Sequence, residues 1–173
     1  NAKIIGNYAF QNMSKLNSVT LNGTQTIKYK AFEGNDKLTR ISLPSTVITI
    51  DSWAFARTSI RSFNLPSSLR SLGSLALYSC PKLKTITGTR SPSYAVKDGV
   101  LYNSNYTTLI KYPSKKSDKM FTVPDSVQRV KADSFEKVHK LKNLYFGTGL
   151  KRLPYSSVSG AKRLKTVVFY GDS

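Results

Sequence analysis

The residues that could carry chemistry in this chain are mainly residues of binding, and few of them suit catalysis. His139 is the only histidine among 173 residues, so no site can be built from several histidines. The single cysteine, Cys80, cannot form an internal disulfide, and we expect it to fill a small core or turn position. The sequence contains neither a glycine-rich phosphate-binding loop nor an Asp-rich calcium loop. We therefore predict that the protein is not an enzyme and that it uses no metal or cofactor.

Positive charge is the most pronounced chemical feature of the sequence. The chain has 27 Lys and Arg against nine Asp and Glu, and its formal net charge of +18 favours attraction to anionic surfaces. Basic residues directly before or after a repeated leucine or isoleucine include Lys15, Lys37, Lys82, Lys84, Lys140, Lys142, Arg163 and Lys165, and a further basic patch comprises Lys111, Lys115, Lys116 and Lys119. A linear polyanion, such as a sulfated glycan, an anionic cell-wall polymer or nucleic acid, would fit these cations through counterion release. The alternative is that the lysines only solvate an edge of the protein and discourage sheet aggregation.

The elements that position these residues come from one apolar pattern that occurs six times. Each copy has an aliphatic residue, a large apolar residue five positions later, a leucine or isoleucine after that, and then a short apolar doublet. The copies begin at Ile5, Ile27, Ile50, Leu72, Val130 and Leu153. The spacing is 22 or 23 residues, apart from an interval of 58 between Leu72 and Val130. Repetition at this period is typical of a leucine-rich repeat solenoid, in which neighbouring coils cover each other's apolar sides.

The doublets, such as Ile41 and Leu43, predict short strands because alternate residues of a strand lie on the same side. A second short extended piece is expected at segments such as 47–50, and the Ala-Phe pair that follows predicts a single helical turn. The expected architecture is a β-rich, right-handed leucine-rich repeat solenoid that forms one domain over 1–173. We expect repeats at about 3–21, 22–43, 44–65, 66–88, 124–146 and 147–170, and an inserted β-hairpin element at 89–123.

The insert is predicted to be a small antiparallel meander. The apolar segments 94–96 and 100–102 flank Lys97-Asp98-Gly99, and Asp-Gly between apolar runs is a strong hairpin signal. A further strand is expected over 108–112, and we expect the segment 120–123 to rejoin the solenoid. We predict that the long interval holds this insertion and not a degenerate repeat.

The repeats and the insert together resemble the BspA-type leucine-rich repeat family. The segment 43–55, Leu-Pro-Ser-Thr-Val-Ile-Thr-Ile-Asp-Ser-Trp-Ala-Phe, carries the family's turn pattern, and Asp-Gly-Val-Leu-Tyr at 98–102 matches its usual insert. The resemblance extends from about Lys3 to Tyr170. It implies a secreted or cell-surface adhesion module with no shared catalytic residues and no fixed binding motif. We therefore expect an extracellular or cell-surface location, and we expect the chain to be a fragment of a longer protein.

The outward positions of the strands supply the candidate protein-binding residues, which are Tyr145, Val168, Tyr170, Arg40 and Asn64. The first three should lie on adjacent strands within cross-strand reach. Exposed tyrosines are favoured interface anchors because they bury a large area at low entropic cost. The alternative is that these aromatic residues merely suit strands, or that a further repeat covers them.

Three functions compete at this point. The leading hypothesis is a non-catalytic cell-surface or secreted module that binds a host or neighbouring-cell protein, including extracellular matrix, through the exposed strand face. The first alternative is a polyanion-binding module that uses the edge formed by the basic residues beside the repeated leucines. The second alternative is a spacer that holds another domain away from a cell surface. We expect a monomer. We also expect no membrane span, because no apolar run approaches the ~20 residues that a spanning helix needs.

Overall fold

The computed structural model describes residues 2–88 and 90–171, and it shows a β-solenoid of about seven turns. This confirms the predicted leucine-rich repeat solenoid. Thr89, at which the predicted insert begins, lies outside the described residues. The strands are β1 Ile4–Ile5, β2 Ser18–Thr20, β3 Thr26–Ile27, β4 Arg40–Ser42, β5 Thr49–Ile50, β6 Ser62–Asn64, β7 Ser71–Leu72, β8 Thr85–Thr87, β9 Tyr94–Lys97, β10 Val100–Asn103, β11 Thr108–Lys111, β12 Met120–Val123, β13 Arg129–Val130, β14 Asn143–Phe146 and β15 Thr166–Phe169.

One set of strands stacks along the first half of the solenoid as a parallel sheet in the order β1-β3-β5-β7. Its register places Ile5 opposite Ile27, Ile27 opposite Ile50, and Ile50 opposite Leu72. These are the first apolar residues of the predicted repeats. The sequence period therefore becomes a column of equivalent side chains, because each coil places the same residue against the next coil.

A second set of parallel strands carries the apolar doublets. It forms the pairs β2-β4 and β6-β8 and the three-stranded sheet β12-β14-β15. Phe63 lies opposite Ile86, and Leu144 lies opposite Val167, so the doublets stack in the same way. The predicted strand positions are confirmed for these segments.

The predicted single helical turns are not confirmed, since the described residues contain no helix. The Ala-Phe segments instead form successive hydrogen-bonded turns, in which the N–H of Ala31 donates to the carbonyl of Lys28 (3.2 Å) and the N–H of Glu33 donates to Lys30 (3.2 Å). Lys30 has φ +53° and Gly34 has φ +77°. A left-handed residue within each turn stops a right-handed helix from propagating, which is the physical reason for the difference.

The long interval contains the predicted antiparallel meander, in which β10 pairs with both β9 and β11. It also contributes a coil of the solenoid. Leu109 in β11 lies opposite Val130 in parallel register, and the N–H of Tyr112 donates to the carbonyl of Ser134 (3.0 Å). Tyr112 thus takes the place of the large apolar residue of a repeat. The prediction of an insertion without a further repeat is wrong, because the meander and a shortened coil share the interval.

The meander divides the core into two apolar clusters. Leu101 packs in the cluster of the N-terminal coils, whereas Val100 and Tyr102 pack in the cluster of the C-terminal coils. Successive side chains of β10 thus lie on opposite sides of the strand and pack in different clusters, as the strand period requires. The meander therefore lies between the two halves of the solenoid and is buried by both.

Candidate binding surface

Three predicted residues come together on β14, on β15 and directly after β15, and they form what we call the tyrosine face. These residues are Tyr145, Val168 and Tyr170. Tyr145 lies directly opposite Val168, and the rings of Tyr145 and Tyr170 stack with centroids 6.1 Å apart and 12° between their planes. Leu144 and Phe146 point into the core, so the alternation of the strand leaves Tyr145 half-buried on the other side.

Strand β12 extends the tyrosine face on its other side. Thr122 lies opposite Tyr145, and Met120 lies opposite Asn143. Both Thr122 and Met120 are exposed. The sequence predicts that the segment 120–123 rejoins the solenoid, but neither Thr122 nor Met120 is among the predicted binding residues. The apolar alternation along that segment is the signal that could identify them.

The core side of β15 is open because β15 is the edge strand of its sheet. Val167 and Phe169 occupy core-side positions, yet 41% and 54% of their surfaces are exposed. Phe169 stacks on Phe146 with ring centroids 4.9 Å apart. Apolar surface at this end of the described solenoid therefore lies on both sides of β15.

The other two candidate protein-binding residues lie apart from the tyrosine face. Arg40 is on β4 and Asn64 is on β6, and these strands belong to sheets other than that of β14 and β15. Both side chains are exposed. The amide oxygen of Asn64 accepts a hydrogen bond from the hydroxyl of Thr87 (3.2 Å). The structure therefore does not join these residues to the tyrosines in one patch.

Three lysines immediately before β12, β14 and β15 form what we call the lysine column. They are Lys119, Lys142 and Lys165. The backbone N–H of Lys142 donates to the carbonyl of Lys119 (2.7 Å), and the N–H of Lys165 donates to the carbonyl of Lys142 (2.7 Å). Strand spacing of about 4.8 Å therefore separates successive lysine backbones. Lys119 was predicted only as part of the basic patch of the insert, and the alignment of Met120 with Asn143 reveals its place here.

A shorter column of the same kind occurs in the N-terminal half, where the N–H of Lys84 donates to the carbonyl of Arg61 (2.8 Å). Nine of the ten predicted polyanion-binding residues are exposed, and Lys116 is half-buried. Lys37 has Asp36 at 4.0 Å. The exposed cations among these ten residues are thus spread along the solenoid: Lys15, Lys37, Lys82, Lys84, Lys115, Lys140, Lys142, Arg163 and Lys165.

The predicted basic patch of the insert requires a correction. Lys111 is buried, with only 5% of its surface exposed, and its Nζ atom donates to the backbone carbonyl of Asp133 (3.1 Å). Lys116 forms an ion pair with Asp118 and lies over the ring of Tyr112 (5.8 Å). Of the four lysines assigned to this patch, Lys115 and Lys119 are the exposed ones.

His139 lies among cations. Its Nε2 atom is buried and has no hydrogen-bond partner within the described part of the chain. Burial lowers the pKa of His139 below its ordinary value of 6.5, and the positive charges of Lys115, Arg163 and Lys140 lower it further. The imidazole is therefore neutral at pH 7 and adds no charge to the basic surface.

Neither surface has the groups of a reaction centre. Within residues 2–88 and 90–171, no three His, Cys, Asp or Glu side chains lie close enough together to hold a metal ion. Cys80 is buried in the N-terminal core, where burial raises the pKa of its thiol. No described helix is long and apolar enough to cross a membrane. The geometry offers apolar and cationic contact surfaces, which suit binding.

Comparisons with known proteins agree with this description. The sequence profile of the family described as "BspA type Leucine rich repeat region" matches residues 3–119 and 112–172, with six copies. The chain is 30% identical to the pneumococcal vaccine antigen PcpA, with a TM-score of 0.89, and the match covers 96% of this chain and 42% of the PcpA chain. It is 20% identical to a leucine-rich cell surface protein from Faecalibacterium prausnitzii, with a TM-score of 0.67, and this match covers 95% of this chain and 62% of the other chain.

A leucine-rich repeat protein from Eubacterium ventriosum is also 20% identical, with a TM-score of 0.75, over 98% of this chain and 58% of that one. The chain therefore spans less than two thirds of the length of each of these structures. A comparison with curated proteins finds no match. These similarities show that the chain has the repeat sequence and the fold of leucine-rich repeat proteins.

Proposed function

We propose that this chain, which belongs to the BspA-type leucine-rich repeat family, is a non-catalytic adhesion module that binds a protein through the tyrosine face. The observation that carries the proposal is the stacked pair of Tyr145 and Tyr170 beside Val168. Tyr145 and Val168 lie on paired strands, and the backbone N–H of Tyr170 donates to the carbonyl of Phe146 (3.0 Å), so the backbone of all three residues is held by the solenoid. Rigid, partly exposed tyrosines bury much area on binding and lose little conformational entropy. The pair is therefore preorganised for a partner.

The lysine column defines the kind of partner. Lys142 lies three residues before Tyr145, so the cations run along one border of the tyrosine face. A protein with an apolar centre and an acidic rim complements this arrangement, and the opposite charges accelerate its association. Two structural relatives are described as a cell surface protein and a vaccine antigen, which supports a secreted or surface-exposed location. The proposed module acts as a monomer that contacts a host or neighbouring-cell protein, including extracellular matrix.

Removing both tyrosines is expected to weaken attachment of the protein to laminin-rich basement-membrane matrix and to cultured epithelial cells. The double variant Tyr145→Ala, Tyr170→Ala should bind roughly 30-fold more weakly, which corresponds to the loss of about 2 kcal/mol from an interface hot spot. Surface plasmon resonance on the matrix and flow cytometry on cells measure the effect. Tyr155→Ala is the matched control, because Tyr155 is 92% exposed but lies outside the tyrosine face. Equal losses for both variants, or no loss for the double variant, would contradict the proposal.

A second candidate function, binding of a linear polyanion, rests on the lysine column. Its three lysines are exposed, lie one strand apart, and have no carboxylate within 4.0 Å among the described residues. Like charges at this spacing repel each other and mildly oppose folding. A column that stability does not favour supports a role in binding an extended anion.

Charge reversal separates this function from the first. Lys142→Glu with Lys165→Glu is expected to lower the salt concentration at which the protein elutes from heparin, and to reduce the slope of log affinity against log salt by roughly 2. The control, Lys3→Glu with Lys97→Glu, makes the same change in net charge at two exposed lysines outside the column. Identical elution of the two double variants excludes a specific polyanion site. Unchanged cell attachment in both the tyrosine and lysine variants supports the spacer role.

A further inference from the structure

A cleft of about 580 Å³ opens where the meander interrupts the solenoid. The parallel sheet β1-β3-β5-β7 ends at β7, and the next coil strand, β11, pairs with β10 and β13 and not with β7. The backbone N–H of Leu72 in β7 instead donates to the side-chain hydroxyl of Tyr94 (2.7 Å). A side chain thus stands where a strand would continue the sheet, and the space beside it forms the cleft.

The walls of this cleft are largely apolar. Leu75, Leu77 and Ile110 line it, together with the rings of Tyr78 and Tyr94. The volume lies within the range of roughly 300–1,000 Å³ that is typical of small-molecule sites. An apolar chain or ring of about ten atoms would therefore be largely removed from water in this space.

Lys111 places an ammonium group at the cleft. The side chain lines the cleft and is 5% exposed, so the charge is almost completely removed from bulk water. An ammonium has three N–H donors, and among the described residues only the backbone carbonyl of Asp133 accepts from Lys111 Nζ (3.1 Å). Burial lowers the pKa of Lys111, and the negative charges of Glu136 and Asp133 act in the opposite direction. Two donors of a buried ammonium therefore remain for a ligand.

The surrounding charges leave the cleft short of negative charge. Arg70, Lys131 and Asp133 also line it. The carboxylate of Glu136 is already engaged, since it accepts from the N–H of Ser79 (2.9 Å) and lies 3.3 Å from Lys137 Nζ. One lining carboxylate thus stands against three lining cations. Arg70 and Lys131 are exposed to water and only Lys111 is buried, so a ligand that places a single negative charge beside Lys111 would complement the site.

The repeat pattern indicates that stability does not require a lysine at this position. Tyr112 bonds to the next coil as Phe32 and Phe55 do, so the residue before it is equivalent to the residue before each phenylalanine. That position is a small residue in the other coils: Ala9, Ala31, Ala54, Ala76, Ser134 and Ser157. Lysine in its place adds a buried charge, which is costly without a partner. This cost supports a functional role for Lys111.

We propose that this cleft binds a small monocarboxylic acid with an apolar chain or ring, and that the ligand's carboxylate accepts hydrogen bonds from Lys111 Nζ. A carboxylate matches one ammonium with two free donors, whereas a phosphate dianion would meet Asp133 without a second buried cation to balance it. The apolar walls suit a ligand without further polar groups, which favours a small acid over a peptide. The site is separate from the tyrosine face, so its failure and the failure of the adhesion proposal are distinguishable.

The test compares octanoate with octanol and octylamine on the full chain. Octanoate is expected to bind at least tenfold more tightly than octanol, and octylamine more weakly than both, as measured by isothermal titration calorimetry and by chemical-shift changes of Ile110 and Leu75. In Lys111→Met the preference for octanoate should fall to about onefold while octanol binding is retained, because the apolar walls are intact. Lys131→Met, which removes an exposed cation of the same cleft, should keep most of the preference.

Several outcomes overturn the inference. Equal affinities for octanoate and octanol in the unmodified protein exclude recognition of the acid, and an unchanged preference in Lys111→Met excludes Lys111. Tighter binding of an apolar tetrapeptide with a free C-terminus than of octanoate replaces the small acid with a peptide. If Lys111→Met does not fold, Leu75→Trp decides whether the ligands bind in this cleft, since filling the apolar wall must weaken the binding of octanoate and of octanol equally. Retention of octanoate binding in Leu75→Trp places the ligand elsewhere.

Discussion

Replacing Phe55 with alanine is expected to lower the free energy of unfolding by about 3–5 kcal/mol, the usual cost of deleting a buried phenyl ring. Phe55 has no exposed surface, and its ring stacks on that of Phe32 with centroids 5.5 Å apart and 8° between planes. A cavity here also weakens the contact between two coils, on which the folding of each coil depends. Urea denaturation followed by circular dichroism measures the loss.

The matched control for this prediction is Phe10→Ala, which removes the same ring from the end of the same stack. Phe10 lies 5.2 Å from Phe32 but is 39% exposed, so water and neighbouring side chains can fill the space that it leaves. We expect a loss less than half that of Phe55→Ala. Equal losses for the two variants would show that the stack is not the determinant of coil-to-coil stability.

Adding a methyl group at Gly73 is expected to cost about 3 kcal/mol, because overpacking between two backbones cannot be relieved by rotating a side chain. A Cβ atom at Gly73 would lie 2.2 Å from the backbone nitrogen of Ser52 and 2.5 Å from the carbonyl carbon of Asp51, in the preceding coil. The N–H of Gly73 also donates to Ile50 in that coil (2.7 Å). Gly73→Ala must therefore separate the coils at the wall of the cleft, and its thermal unfolding midpoint should fall.

Gly6 provides the control because it occupies the same position in the first repeat as Gly73 occupies in the fourth. A Cβ atom at Gly6 has nothing within 4 Å. Gly6→Ala is expected to be neutral or to stabilise by up to about 1 kcal/mol, since alanine restricts the unfolded chain. A loss of stability in Gly6→Ala as large as in Gly73→Ala would place the effect in backbone propensity and not in the close approach of two coils.

The stacking of successive coils, on which both changes act, also forms the proposed binding surfaces. The tyrosine face and the lysine column exist only because equivalent positions of successive coils lie one strand apart. A change that shifts one coil would displace Tyr145 relative to Tyr170, whose rings are 6.1 Å apart. Variants that test binding therefore have to retain the unfolding midpoint of the unmodified protein.

The sequence by itself determined the coils of the solenoid. The apolar period predicted which residues stack, and the observed pairs Ile27 with Ile50 and Leu144 with Val167 confirm it. The alternation of strands also predicted that Tyr145 and Tyr170 would be neighbours. These features are readable because they depend on local periodicity and on the repetition of one contact, and both are written in consecutive residues.

Only the tertiary structure decided what happens in the interval between Leu72 and Val130. Its residues must satisfy the N-terminal core, the C-terminal core and the meander at once, and Leu101 and Tyr102 separate between the two cores although they are adjacent in sequence. The same competition buries Lys111, moves Lys119 into the lysine column and opens the cleft beside Tyr94. Contacts between coils that are distant in sequence fix these placements, so no pattern within a single repeat could reveal them.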